Sequence, residues 1–208
     1  CFLKRNAPEE ILITKENKKF NELNSNAIIG TSSYRREFQL KRIRNDLNYK
    51  TIRGNIDTRI SKINNKDYDG IILAKAGIKS LDLDHLISQE FSTHEIIPSA
   101  GQGIVSIQCR ENDTEVINIL NKVNDKISSI SAEAERKVLK ILEGDCHTAV
   151  GVFSNINNDD FEISGELFSL DGKQRFFKSI KDKISNFSKV SIELGNYLKK
   201  ESKDSYKK

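Results

Sequence analysis

Chemistry is most plausible along a basic run and at one loop cysteine. The run holds Arg35, Arg36, Lys41, Arg42, Arg44, Lys50, Arg53, Arg59 and Lys62 against only Glu37, Asp46 and Asp57. Arg35 and Arg36 follow Thr31-Ser32-Ser33, whose side chains can cap a helix, so both arginines fall in a first turn where the macrodipole disfavours cations. A bound anion reverses that cost, because first-turn amides, the Ser32 and Ser33 hydroxyls and the guanidinium groups would converge on it. Arg53 directly follows a predicted strand ending at Ile52, and Arg59 lies about one helical turn past Asn55, so both can face the same strand-end crevice. Guanidinium groups clustered without a ligand repel one another, and arginine's fork suits carboxylates, so a polycarboxylate fits best. The plainer alternative is a solvated basic turn.

Cys146 lies in Glu143-Gly144-Asp145-Cys146-His147. A neighbouring imidazole could activate its thiol, but the end of a helix raises a thiol pKa, so spacing by itself favours an inert loop cysteine. Cys1, Cys109 and Cys146 are odd in number and widely spaced, with neither Cys-x-x-Cys nor histidine at ligand spacing. No disulfide framework and no metal site are expected. Cys109 reads as core, and His85 and His94 as surface residues.

The elements that must position these groups alternate in type. Residues 27–30 read as a short strand, 34–47 as a helix with Tyr34, Phe38, Ile43 and Leu47 on its inner face, and 49–52 as a strand. A helix opened by Asn55 follows, carrying Ile56, Ile60 and Ile63, and then the apolar run 70–76. This β-α-β-α-β order implies a parallel sheet with right-handed crossovers that binds ligands beyond the carboxyl ends of its strands. After Pro98, Ser99-Ala100-Gly101-Gln102-Gly103 reads as a crossing segment, followed by a strand at 104–109 and a helix with Val116, Leu120 and Val123. A helix at about 129–143 ends at Gly144, which reads as its left-handed terminator. Strands are expected at 149–155, 161–170 and 174–180, the last two joined by an Asp171-Gly172 hairpin, and then a helix with Val190, Leu194 and Leu198. The tail from about Lys199 is expected to fray.

The 208 residues allow one large domain or two small ones. At 37% hydrophobic and 31% charged, with no Trp, the chain is polar but within the globular range. The 34 basic and 30 acidic residues leave a formal charge of +4, too little to imply nucleic-acid binding, and only Tyr34 and Tyr49 interleave with the basic run. No apolar run approaches the roughly 20 residues that cross a bilayer, and no secretory pattern opens the chain, so a reducing, aqueous compartment without a membrane partner is expected. Because the chain begins at Cys1, a targeting peptide can lie upstream.

Against this background the sequence resembles the porphobilinogen deaminase (hydroxymethylbilane synthase) family. The resemblance rests on Gly30-Thr31-Ser32-Ser33-Tyr34-Arg35-Arg36, on Ile52-Arg53-Gly54-Asn55-Ile56-Asp57-Thr58-Arg59, on Ile71-Ile72-Leu73-Ala74-Lys75-Ala76-Gly77, on Gly101-Gln102-Gly103 and on Glu143-Gly144-Asp145-Cys146. After about Gly151 the match is to pattern alone.

The resemblance implies an α/β fold: periplasmic-binding-like doubly wound domains plus a C-terminal α+β domain with a three-stranded antiparallel sheet. Residues 1–4 would end domain 1, whose remainder lies upstream, 5–97 would form domain 2, 98–124 return to domain 1, and 125–208 form the cofactor-anchoring domain 3. The implied function is a transferase of tetrapyrrole (heme) biosynthesis that condenses porphobilinogen, with loss of ammonia, on a dipyrromethane cofactor. Cys146 takes the position of its covalent thioether attachment, which reverses the reading from spacing. Thr31, Ser32, Ser33, Arg35, Arg36, Arg53, Arg59, Ala74, Gln102 and Gly103 would contact the carboxylates of cofactor and substrate. In the implied mechanism ammonia leaves the aminomethyl group, the free α-carbon of the terminal pyrrole attacks the resulting cation, and an aspartate stabilises charge and moves protons.

That aspartate falls upstream of these residues, so the chain is expected to be inactive without an N-terminal segment or chain and monomeric when complete. Cytoplasm or plastid is the implied setting. Three departures stand out: Asp145 replaces a usual glycine, a usual proline is lacking after Cys146, and a usual arginine falls at Ser80, where Lys79 can substitute. The alternative is a non-catalytic periplasmic-binding-like module for small carboxylates, with Cys146 bare.

Overall fold

The computed structural model describes every residue except Lys66, Cys146 and Lys208, and all side chains of its helices and strands except that of Asn64. Its first sheet is built from strands β1 (Glu10–Thr14), β2 (Ile28–Gly30), β3 (Asn48–Lys50), β4 (Gly70–Ala74) and β5 (Gln89–Phe91), in the order β3-β2-β4-β1-β5. β2 pairs parallel with β3 and β4, as the alternating pattern predicts, whereas β1 runs antiparallel to both β4 and β5. The sheet is therefore mixed.

Side-chain alternation along these strands feeds two cores. Leu12, Ile29, Ile72 and Phe91 join Leu40 of helix α1 (Tyr34–Ile43) on one face. Ile11, Ile13, Ile71 and Leu73 join Ile63 of α2 (Ile56–Asn64) and Ile78 of α3 (Lys75–Lys79) on the other. With both faces covered, β1 and β4 are near-continuous apolar runs, as strands buried on both sides must be.

Helices α4 (Thr114–Val123) and α5 (Lys126–Leu142) lead to the second sheet, strands β6 (Val150–Asn157), β7 (Asp160–Phe168) and β8 (Arg175–Lys183), antiparallel in that order. Helix α6 (Phe187–Ser202) packs with α5 on one face, where Val138, Leu142, Val152, Ile163, Leu194 and Leu198 form a third core. The expected α/β unit and three-stranded antiparallel sheet are both present.

Several local expectations are corrected. Helix α1 stops at Ile43 rather than 47, because Arg44 turns away to bond both oxygens of Asp46 at 2.7 Å and the carbonyls of Phe20 and Leu23 at 3.1 Å. Its sheet-facing residue is Leu40; Tyr34 and Ile43 are exposed, and Phe38 turns to Phe168 of β7. Residues 104–109 form no ladder beyond an isolated antiparallel bridge from Ser106 to Phe2, and Cys109 is only half-buried. The left-handed terminator of α5 is Glu143 at φ 55°, held there by Lys207 and Lys199 at 2.6 and 3.4 Å, not Gly144. The tail does not fray at 199: α6 continues to Ser202, and buried Tyr206 donates its hydroxyl to the Leu142 carbonyl at 3.0 Å.

The two sheets are tied through α1. Phe38, Ala149 and Phe168 form a small apolar cluster, and Arg42 and Arg175 both bond the buried Glu166 of β7. Gly172, at φ +71°, lies so close under the Phe38 ring that an added Cβ would sit 2.7 Å from it. Gly151 similarly abuts the Ile97 carbonyl.

Candidate active site

Parallel pairing brings the carboxyl ends of β3, β2 and β4 side by side, and antiparallel β1 adds its amino end, with Glu10 opposite Ala74. Thr31 leaves β2 buried, its amide on the Lys50 carbonyl at 3.0 Å. The Ser32 hydroxyl donates to the Ile52 carbonyl at 2.5 Å, joining the β2 exit to the residue before Arg53. Ser33 caps α1, its hydroxyl accepting from the Arg36 amide at 3.4 Å. The Ser32 and Ser33 hydroxyls expected to meet an anion are thus engaged in shaping the turn.

The arginines differ from expectation more sharply. Arg35 is only 5% exposed, with Nη2 on Glu10 Oε1 at 2.7 Å and Nη1 on the Ile97 carbonyl at 2.9 Å. Arg36 reaches Glu10 Oε2 at 2.9 Å and the Ile72 carbonyl at 3.4 Å, while its buried Nε has no partner among the described residues. The pair expected to be unpaired is therefore half-neutralised by a buried carboxylate. Burial is the largest influence on Glu10 and pushes its pKa up, but Arg36 and Arg35 together outweigh it and hold the carboxyl below its ordinary value. Burial likewise pushes Arg35 down, against Glu10, but arginine starts high enough to stay charged.

Arg53 is exposed just past buried Ile52. Arg59 folds back, Nε on the Gly54 carbonyl at 2.7 Å, in a loop whose glycine has φ +118° and no room for a Cβ beside Thr58. Ala74 ends β4 and caps α3. Lys79 is exposed, and the Ser80 hydroxyl is bonded to the Ala76 carbonyl at 2.8 Å.

Gln102 and Gly103 belong to the crossing segment. Gln102 Nε2 donates to the Pro8 carbonyl at 2.6 Å, its own carbonyl accepts from Arg5 Nε at 3.0 Å, and Gly103 at φ +80° accepts from the Asn6 amide at 2.8 Å. Arg5 also pairs with the fully buried Glu135 of α5 at 2.6 Å. Residues 1–8 and 101–107 thus run together toward the strand edge that holds Glu10.

Cys146 lies outside the described residues, but its neighbours do not. Asp145, His147 and Thr148 line a cavity of about 440 Å³ together with Tyr34 and Phe38 of α1. Tyr34 directly follows the Thr31–Ser33 turn, so this cavity reaches the amino-terminal end of α1, while Arg35 and Arg36 themselves turn to Glu10 rather than line it. Asp145 Oδ1 accepts from the His147 and Thr148 amides at 2.8 and 3.0 Å and from the Thr148 hydroxyl at 3.1 Å. The His147 amide and the Thr148 hydroxyl, in that order, hold the Asp145 carboxyl below its ordinary value.

Sequence reading missed Glu10, Gln39 and Thr148. Gln39 clasps the Ile97 backbone by both bonds, at 2.6 and 3.0 Å. The Asp-x-x-Thr spacing at 145–148 was the one available signal, since it is the spacing of reciprocal capping.

Comparison with known proteins fits this geometry. Residues 1–118 match the family model described as the dipyrromethane cofactor binding domain of porphobilinogen deaminase, and 129–203 match that enzyme's C-terminal domain. The chain belongs to the porphobilinogen deaminase family. Porphobilinogen deaminase of Caldicellulosiruptor saccharolyticus is 41% identical over 197 residues, covering 91% of this chain and 68% of that protein. Those of Clostridium novyi and Alkaliphilus metalliredigens are 41% and 36% identical, each over 95% of this chain and over 67% and 63% of their own lengths. The chain spans about two thirds of the length of these curated relatives. A Salmonella typhimurium periplasmic binding protein described for high arginine specificity aligns at TM-score 0.38 and 15% identity over 62% of this chain and 59% of its own, too slight a likeness to use. Family membership makes the deaminase's dipyrromethane the cofactor for which this fold is built.

Proposed function

We propose that the chain is the carboxylate-binding and cofactor-anchoring part of a porphobilinogen deaminase that condenses four porphobilinogens into linear hydroxymethylbilane. The carrying observation is the cavity that Tyr34, within the Thr31–Arg36 segment, lines together with Asp145 and His147, the residues flanking Cys146 in sequence. Cys146 anchors dipyrromethane by a thioether, and the bound cofactor supplies a nucleophilic pyrrole carbon as primer. Arg36, paired with Glu10 by one end of its guanidinium, and Arg53, exposed past Ile52, bind acetate and propionate groups. Arg59 adds a third guanidinium from α2. Thr31, Ser32, Ser33 and Ala74 shape the strand ends, and Gln102 and Gly103 close the site from the crossing segment. Arg35 acts mainly through Glu10, which it helps to fix.

In this reading residues 5–97 are domain 2, 1–4 and 98–124 belong to domain 1, and 125–208 are domain 3. An N-terminal segment or chain, bearing the aspartate that the family resemblance implies, completes the site. Support comes from an uncovered apolar face: Val105, Ile107, Ile119, Val123 and Ile127 are 37–57% exposed, and α4 buries none of its residues. The chain alone then has no turnover, and the completed enzyme is a monomer. The setting is the cytoplasm or a plastid; bacterial relatives favour the first, and no helix among the described residues is long and apolar enough to cross a membrane.

Intact mass tests the reading. The chain, supplied with porphobilinogen and an N-terminal segment from a relative, should gain a dipyrromethane adduct that Cys146→Ala abolishes. An unmodified wild-type protein, or an adduct that survives in Cys146→Ala, refutes it.

A further inference from the structure

The cysteine loop is closed by a reciprocal hydrogen-bonded box. Besides the three donors on its Oδ1, Asp145 sends its own amide to Thr148 Oγ1 at 3.1 Å, and the Thr148 amide also lies 3.2 Å from the Asp145 carbonyl. Asp145 and Thr148, which bracket the cysteine in sequence, therefore grip each other through side chain and backbone alike. The flanks are fixed independently. On the entry side, Tyr206 bonds the Leu142 carbonyl and Lys207 pairs with Glu143; on the exit side, Ala149 is buried in the cluster with Phe38 and Phe168. None of those contacts fixes residues 145–148 themselves.

We propose that Asp145, acting with Thr148, is the positioning residue for cofactor attachment: their box preorganises the loop so that the Cys146 thiol meets the incoming pyrrole. A glycine at 145 would leave these residues to be ordered anew at each encounter, and that ordering opposes bond formation. An acidic residue beside a polyanionic cofactor is tolerated because three donors meet one of its oxygens, which offsets much of its charge locally. The step served is thioether formation. The Cys146 sulfur bonds the aminomethyl carbon of porphobilinogen, the carbon–nitrogen bond breaks, and ammonia leaves with the thiol proton. Asp145 touches neither partner in this scheme; it acts through the loop. The inference rests on Cys146 being the anchor.

The test measures the rate of adduct formation by intact mass in the full-length polypeptide given porphobilinogen. Hydrogen exchange at the His147 and Thr148 amides is followed alongside. Asp145→Ala and Thr148→Val should each slow attachment at least about tenfold, the lower end for losing one hydrogen bond to a charged group, with unchanged melting temperature. Both amides should exchange faster in Asp145→Ala. Asp145→Asn keeps the Oδ1 acceptor and should restore both readouts. Attachment at the wild-type rate in Asp145→Ala, or amides no better protected in the wild type than in that variant, overturns the inference while leaving the anchor intact. A wild type that takes no adduct although Cys146 is readily alkylated sinks the anchor reading and this inference with it.

Discussion

Replacing Glu10 by glutamine should destabilise the first sheet more than any exposed substitution can. The carboxylate is fully buried and holds Arg35 at 2.7 Å and Arg36 at 2.9 Å. With a neutral amide there, Arg35 keeps the Ile97 carbonyl but no counter-charge, and at 5% exposure it cannot recruit water. Removing one partner of a buried ion pair costs about 3–5 kcal/mol. Arg36 is less enclosed and can partly rehydrate, so the lower end, about 3 kcal/mol, applies. With a urea dependence of about 2 kcal/mol per molar, the unfolding midpoint should fall by about 1.5 M.

The acid dependence carries a sign. Because the Glu10 pKa is lowered on folding, its stabilisation is complete above the unfolded carboxyl value of about 4.3 and is lost as pH falls through the lower folded value. The gap between wild type and Glu10→Gln should therefore narrow in acid. Glu10→Gln combined with Arg35→Met should recover much of the loss, since it removes the stranded charge. Equal midpoints at neutral pH, or a gap that does not narrow in acid, would refute the assignment of Glu10 as the charged centre of this edge.

Other perturbations follow from the same contacts. Gly172→Ala places a methyl group 2.7 Å from the Phe38 ring at a left-handed backbone, and thermal unfolding should show a loss of about 2–4 kcal/mol; a loss under about 0.5 would mean that the hairpin does not press on α1. Tyr206→Phe strands the Leu142 carbonyl and should cost about 1–2 kcal/mol by denaturant titration, whereas a neutral result would show that the tail does not brace α5.

The legible parts of the chain were those encoded by local rules. Ser33 and Asn55 cap the helices they precede, the apolar run from Gly70 is a buried strand, and Val190, Leu194 and Leu198 line the core face of α6. Pairings between distant residues were not legible. Glu10 begins a short apolar run, and nothing near it announces arginines 25 and 26 positions on. Without that carboxylate in view, the arginine cluster read as unpaired. β1 and β5 stayed unassigned because neither strand has a neighbour in sequence with which it pairs; β1 is joined to strands some 60 and 80 residues later. Residues 104–109 carry the composition of a strand, but composition cannot supply a partner, and Phe2 offers one bridge only. At the anchor loop, Asp145 read as an awkward departure because its partner is Thr148, three residues on and across the cysteine.

The central place of β1 bears on how the protein comes off the ribosome. Among the five strands of this sheet β1 comes first in sequence yet is flanked by the last two, so the EILIT segment emerges with both of these edges open and stays so until residues 70–91 follow. Such a segment is short, apolar and nearly uncharged, the composition that recruits other chains edge to edge. Pairings this remote in sequence also form late. The nascent polypeptide is thus most prone to aggregate during one interval of translation, and a chaperone that shields residues 10–14 over that interval would raise the yield of folded protein without touching the finished enzyme.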